Sequence, residues 1–206
     1  MLTNEVIILA DGQFPEHPTP LALLNSGISI VCCDGAAMKL SANGLEPTFI
    51  VGDLDSLTPQ YKKQYSDRLV HLPDQEANDL TKAVMFCVGK GVKKIVILGA
   101  SGLREDHTLG NISLLATYAP ILQVEMYTNT GMLIPVLKPC RITSYPGQQI
   151  SIFSLSPQEK LTFRNLKFPV ENRPLLSWWE GTLNEALGDW FEIDFEKGAF
   201  IVYRLY

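Results

Sequence analysis

Asp53 and Asp55 stand two residues apart in "FIVGDLDSLTP" (49–59), where an apolar run closes on a glycine. Two like charges ~4 Å apart repel by about 4 kcal/mol at an effective dielectric of 20, so such a pair asks for a cation. Oxygen-only ligation suits Mg²⁺, which takes one or two carboxylates and completes its shell with water and substrate phosphates. Carboxylates alone repel a phosphate; carboxylates with Mg²⁺ hold one. An isolated Asp at a strand end is ordinarily a turn or cap residue, but this spacing offers two carboxylates to one ion.

Two further stretches carry the same chemistry. In "DQEANDLTKAV" (74–84) Asn78 suits a helix N-cap, Asp79 the positive end of the helix dipole, and Lys82 the same helix face as Asp79. The plain reading is a cap with a surface ion pair; the functional one is a third metal carboxylate with a lysine for phosphate oxygens. In "LGASGLREDHTLGN" (98–111) Gly99 and Gly102 let backbone amides approach an anion. Arg104 offers a bidentate fork to phosphate, and Asp106-His107 opens a helix. The stretch lacks the GKS or GKT ending of a P-loop. His17 and His71 have no supporting context, and no His/Cys set suggests zinc.

The elements that must position these groups are legible in the apolar pattern. "VIILAD", "ISIVCCD", "FIVGD", "RLVHLPD", "KIVILGA" and "VEMYTN" are strand candidates, with helices expected near 19–26, 36–43, 59–66, 78–90 and 107–118. Continuous Val/Ile-rich runs alternating with helices predict a mostly parallel, Rossmann-like sheet covered on both faces. Strand ends then bring Asp11-Gly12, Asp34-Gly35, Asp53, Asp55, Asp74 and Gly99 to one edge, the edge where open α/β sheets bind ligands. Beyond about residue 130, apolar and polar residues alternate and turn signals such as "PG" and "EKG" recur. The expected organisation is an α/β nucleotide- and metal-binding domain over 1–130 and a small all-β, sandwich-like domain over 131–206. Residues 175–187 are ambiguous, and the second domain is small enough to need a packing partner.

Composition narrows the classes. A net charge of −5 argues against a polyanion-binding surface, and no apolar run reaches the ~20 residues of a membrane span. No nucleic-acid or membrane partner is expected. "MLTNEVIILADG" reads as a first strand rather than a signal peptide, and the four cysteines form no CxxC pair. A reduced, cytoplasmic setting is the expectation.

Taken in order, "DGAA", "GDLDS", "DQEANDLTKA" and "GASGLREDHTLGN" resemble the thiamine pyrophosphokinase family. The resemblance implies an α/β catalytic domain joined to a β-sandwich-like domain. It implies Mg²⁺-dependent transfer of a pyrophosphoryl group from ATP to the hydroxyethyl oxygen of thiamine, releasing AMP. By it, Asp53, Asp55 and Asp79 take metal and substrate positions, and Gln75 and Lys82 lie around the phosphates and thiamine. Asp34, Gly35, Gly99, Arg104, Asp106 and His107 fall in its ligand-binding motifs. Phe168 in "LKFPV" and Thr182 and Asn184 in "GTLNEA" match thiamine-binding segments, with Phe168 where an aromatic stacks on the substrate. Either Asp79 or Asp53 would accept the hydroxyl proton. The resemblance also implies a homodimer with shared active sites. Three positions depart from the family pattern: Ala36 and Leu103 replace the second glycine of a pair, and Leu183 stands where a serine is common. Two rival readings are a sugar-nucleotide transferase with Asp53-Leu54-Asp55 as its metal motif, and a nucleotide-sensing module without chemistry.

Overall fold

A computed structural model describes residues 2–206, and the chain divides into two compact units. The first runs to Leu114 and takes in Pro120–Asn129; the second comprises Leu115–Ala119 and Thr130–Tyr206.

In the first unit, six strands form one parallel array: β1 (Glu5–Leu9), β2 (Ile30–Cys33), β3 (Phe49–Gly52), β4 (Leu69–His71), β5 (Lys94–Leu98) and β6 (Gln123–Tyr127). Their spatial order is β6-β5-β1-β2-β3-β4. The central strands are buried at every position along most of their length, as apolar runs without alternation require. Alternate residues serve the two faces. Ile7, Leu9, Ile30, Cys32, Ile50, Val96 and Leu98 share a core with Leu24 of α1 (Pro18–Leu24), Ala36, Ala37 and Leu40 of α2 (Ala36–Ala42), and Tyr61 of α3 (Pro59–Gln64). The longer helix α4 (Asp79–Gly89) packs on β1, β2 and β3. Helix α5 spans Glu105–Tyr118, starting two residues before the sequence expectation because Glu105 and Asp106 belong to its first turn. β4 is shorter than its apolar run because it lies at the sheet edge and is only partly buried.

Register aligns the strand ends. Leu9 of β1 lies level with Cys32 of β2 and Leu98 of β5, and Val51 of β3 lies level with Cys33. The residues that follow (Asp11, Asp34, Asp53, Gly99) therefore emerge at one edge. The order also turns around at β1: the chain steps outward through β2, β3 and β4, then returns to β5 on the other side of β1. Such a reversal opens a crevice between diverging loops.

The second unit is an antiparallel β-sandwich. One sheet has the order β12 (Asn184–Glu185), β9 (Gln149–Ser154), β14 (Phe200–Leu205), β7 (Gly131–Val136). The other has β11 (Arg173–Pro174), β10 (Lys160–Arg164), β13 (Trp190–Phe195), β8 (Cys140–Thr143). Its core draws Ile150, Ile152, Phe200 and Val202 from the first sheet and Leu161, Phe163, Phe191 and Ile193 from the second. Burial alternates along these strands, the pattern of a sheet buried on one face. The ambiguous stretch 175–187 resolves into a single 3₁₀ turn, Trp178–Gly181, followed by the two-residue β12. A capping box between Ser177 and Glu180 starts that turn, and Arg173 anchors it through a 3.0 Å ion pair to Glu180.

Among the described residues, no helix is long and apolar enough to cross a membrane.

Candidate active site

The crevice in the first unit holds a cleft of about 550 Å³. Its walls are the ends of β1 (Ala10–Gly12), β2 (Cys33, Asp34) and β3 (Asp53, Ser56). The segment entering α4 (Gln75, Ala77–Leu80, Lys82) and the β5–α5 connection (Ala100, Ser101, Leu103, Arg104, His107, Thr108, Asn111) complete them.

Three carboxylates converge there. One oxygen from each of Asp34, Asp53 and Asp55 lies within 4.8 Å of the others. Backbone geometry makes this possible at a cost. Asp34 (φ 40°) and Leu54 (φ 66°) adopt left-handed conformations that side chains rarely take, and such strain concentrates at functional sites. Leu54 tolerates it because its side chain is buried in the core below the loop. Its kink lets the Asp55 amide donate to Asp53 Oδ1 at 3.2 Å, while Ser56 Oγ donates to Asp55 at 3.1 Å.

The three acids differ electrically. Asp34 is only 4% exposed. Burial pushes its carboxyl up; bonds from Ser56 oppose this, and the charges of Asp79 and Asp53 push it further up. Its Oδ2 accepts from the Ser56 amide at 3.3 Å, but its buried Oδ1 has no protein partner. Asp53 moves the other way. Gln75 Nε2 donates to it at 3.1 Å and, with the Asp55 amide and nearby Lys82, holds its carboxyl below the ordinary range.

Asp79 and Lys82 share the first turns of α4. Asn78 caps that helix, its side chain accepting from the Thr81 amide at 2.9 Å. Lys82 is buried and donates to Asp79 Oδ1 at 3.1 Å. A buried ammonium is costly without a counter-charge, so the pair is more than the surface contact that sequence spacing suggests. The closely grouped carboxylates are thus Asp34, Asp53 and Asp55. Asp79 adjoins them across Gly52: a Cβ built there would lie 3.3 Å from Asp79 Oδ1 and 3.1 Å from Asp34 Cβ.

On the opposite wall, Arg104 is exposed and its guanidinium engages Asp106, with Nε at 3.0 Å from Oδ1. The pairing, with the His107 amide, lowers the Asp106 carboxyl to about 2. One edge of the arginine fork is therefore held by protein, leaving the remaining donors for a ligand. His107 is exposed at the start of α5 and lines the cleft. Two glycines shape the walls. A Cβ on Gly35 would lie 2.8 Å from the Asp11 carboxylate, and Gly99 (φ +65°) passes so close to β1 that a Cβ would meet the Ala10 carbonyl at 2.6 Å. The Gly99 turn needs both the left-handed backbone and the missing side chain.

Some residues in the cleft wall or bonded to it have weak sequence signals. Asp11 was visible as a strand-end acid; Ser56, Asn78, Thr108 and Asn111 carry no charge, and Lys39, which reaches Asp11 from α2 at 2.8 Å, is an ordinary helix lysine in sequence. Asn111 donates to the Ala100 carbonyl at 2.9 Å, tying α5 to the end of β5.

The remaining predicted residues lie in the second unit. Phe168 is 59% exposed. Buried Asn184 accepts from the Phe168 amide at 3.0 Å and donates to its carbonyl at 2.7 Å, fixing the backbone that presents the ring. Thr182 Oγ1 donates to Trp179 O at 2.7 Å. Leu183, with φ 57° and 77% exposure, is displayed between Thr182 and Asn184.

The chain matches the family profile "Thiamin pyrophosphokinase, catalytic domain" over residues 21–126 and "Thiamin pyrophosphokinase, substrate-binding domain" over residues 131–203. Thiamine pyrophosphokinase 1 of Oryza sativa subsp. japonica is 36% identical over 142 residues, covering 62% of this chain and 54% of that protein. Thiamin pyrophosphokinase 1 of Caenorhabditis elegans is 36% identical over 78 residues, 35% of this chain and 32% of that protein. The chain thus spans about a third to a half of the length of these two relatives. Thiamine pyrophosphokinase of Bacillus subtilis is 26% identical over 181 residues, with 83% and 84% coverage. The crystal structure of the Bacillus subtilis thiamine pyrophosphokinase shares the fold, with a TM-score of 0.82 at 24% identity over 98% of each chain. The profile over the first unit alone covers more than half of the chain, and the chain belongs to the thiamin pyrophosphokinase family.

Proposed function

We propose that this chain is a thiamine diphosphokinase that transfers a pyrophosphoryl group from ATP to the hydroxyethyl oxygen of thiamine, yielding thiamine diphosphate and AMP. The observation that carries the reading is the buried Asp34 Oδ1, without a protein partner, beside Asp53 and Asp55 in a cleft of about 550 Å³. An orphaned buried anionic oxygen is costly, and oxygen-only donors at this spacing fit Mg²⁺. Asp34, Asp53 and Asp55 would hold the ion, with Asp79 adjoining. When bound, the ion supplies charge neutralisation that lets polyphosphate enter an acidic cleft.

The chain's own residues do the rest. Phosphoryl transfer asks mainly for positioning and charge stabilisation. Lys82, buried against Asp79, directs its free N–H donors toward phosphate oxygens, and Arg104 does so from the facing wall. Asp53, held ionised by Gln75 and the Asp55 amide, or Asp79 at the start of α4 would accept the proton leaving the thiamine hydroxyl. Thiamine's cationic ring suits acidic groups and aromatic faces such as Phe168. Two chains acting as a homodimer in a reduced cytoplasm complete the reading, each β unit serving the partner's cleft.

The test is direct: incubate the protein with thiamine, ATP and Mg²⁺ and identify the products by mass spectrometry. Thiamine diphosphate with AMP is expected. Thiamine monophosphate with ADP would mean transfer of the terminal phosphoryl group only, and absence of product would refute the reading. For the shared site, wild type is exchanged with an excess of a chain carrying both Asp55→Asn and Phe168→Ala, and the remaining activity should show the raised thiamine KM of Phe168→Ala. A wild-type KM despite confirmed exchange would place each site within one chain.

A further inference from the structure

Lys39 projects from the last turn of α2 to the end of β1. Its ammonium donates to the Asp11 carboxylate at 2.8 Å, to the Asp11 carbonyl at 3.0 Å and to the Gly12 carbonyl at 2.9 Å. An ammonium has three donors, and all three are spent inside the protein. Lys39 therefore has nothing left for a phosphate. A half-exposed ion pair alone contributes little; three simultaneous bonds to two adjacent residues fix a loop.

That loop is the middle of a longer chain of contacts. The Gly12 amide donates to the Gly99 carbonyl at 2.7 Å, and the Gln13 amide to the Ser101 carbonyl at 2.8 Å. Gly99 is the left-handed turn that redirects the backbone toward Arg104. The brace thus runs from α2 through residues 11–13 to 99–101, and ends on the segment that presents the arginine. It also pairs the Asp11 charge, removing one uncompensated anion from the cleft wall.

We propose that Lys39 is a positioning residue: it holds the residue 11–13 loop, and through it the Gly99–Arg104 connection, in the geometry that receives the phosphates of the nucleotide. The nucleotide part rests on the function proposed above; the brace does not. Asp11 is not among the three grouped carboxylates, and the Lys39 bonds go to Asp11 and Gly12, so the role is distinct from metal binding.

The test compares wild type, Lys39→Met, Lys39→Arg and Asp11→Asn in the full chain. Amide hydrogen exchange is followed by mass spectrometry, with α4 as the internal reference for general opening. In Lys39→Met, exchange across residues 10–13 and 99–104 should accelerate by about ten-fold or more while α4 is unchanged, the scale for losing charge-assisted bonds. Lys39→Arg should restore most of the protection, because its fork also reaches a carboxylate and carbonyls. Asp11→Asn, which removes only one of the three bonds, should give an intermediate effect. Binding of AMPCPP, an ATP analogue whose α,β-methylene replaces the bond that pyrophosphoryl transfer would break, should weaken with Mg²⁺ by about ten-fold in Lys39→Met and recover in Lys39→Arg, with thiamine binding unchanged.

Unchanged exchange in the two segments would overturn the proposal. So would equal acceleration of α4, which would make Lys39 a general stabiliser, or loss of AMPCPP affinity without faster exchange, which would make it a direct ligand. If wild type bound no AMPCPP, the nucleotide reading would fail, and faster exchange in the two segments would still support the brace.

Discussion

The two units bury similar apolar residues by opposite rules. In the first, strands such as Val6–Leu9 and Ile30–Cys33 are buried at every position, so their side chains are spent on packing and only the last, Cys33, reaches the cleft wall. Chemistry is displaced to the loops just past the strand ends, where Asp11, Asp34, Asp53 and Asp55 stand. In the second, β9 and β13 alternate buried and open positions, and the strongly exposed apolar groups Phe168, Trp179 and Leu183 lie between strands. A parallel sheet covered on both faces concentrates charge at one edge; a one-sided sandwich spreads display along its connections. The first arrangement suits charge neutralisation and phosphate chemistry, the second apolar contact with a ring.

The largest effect should come from the charged edge. Asp53→Asn or Asp55→Asn is expected to lower kcat by at least ~10³-fold, the scale for losing an electrostatic group at a reacting centre. The melting temperature should hold or rise in Asp55→Asn, because one of three grouped carboxylates is gone, and hold or fall in Asp53→Asn, whose ionised form is favoured by Gln75 and the Asp55 amide. Calorimetry beside a thiamine diphosphate assay checks both; near-wild-type turnover at limiting Mg²⁺ would remove that residue from the metal site.

Arg104→Ala should raise the ATP constant by ~10–100-fold, the value of one or two charge-assisted bonds, and leave the thiamine constant in place. Movement of the thiamine constant alone would reverse the assignment of that wall.

In the sandwich, the first expected effect is on stability. Asn184→Ala removes both bonds to the Phe168 backbone, and unfolding should become easier by about 1–3 kcal/mol in denaturant titration. A neutral result would show that Phe168 is held by something other than this carboxamide.

The smallest structural effect belongs to the exposed ring itself. Phe168→Ala should change stability by no more than about 0.5 kcal/mol, as for an open surface site. It should raise the thiamine KM by ~2–10-fold, the range of one aromatic contact. A large stability loss with no change in KM would make Phe168 a packing residue and erase the contrast between the units.

Much of the fold was legible because its signals are local. Continuous apolar runs foretold the parallel strands, their spacing the intervening helices with Asn78 as the cap of one, and alternation the β region. Helix α5 started earlier than expected because its first turn is polar, so periodicity begins after the helix does. Residues 175–187 stayed ambiguous because a single 3₁₀ turn has no period to read. At the site, paired acids and strand-end glycines were recognisable from composition and spacing.

By itself the sequence determined the element order, the acidic strand ends and the family motifs, since each depends on residues near one another along the chain. Only the tertiary structure decided the partnerships. The register of β1, β2, β3 and β5 set Asp34 beside Asp53 and Asp55, where i, i+2 spacing alone had paired only the last two. Helix packing buried Lys82 against Asp79, and the Gly12–Gly99 approach let Lys39 brace a loop 60 residues farther along the chain. These contacts join segments that sequence separates, and their strength comes from desolvation and fixed geometry, which exist only once the chain has folded.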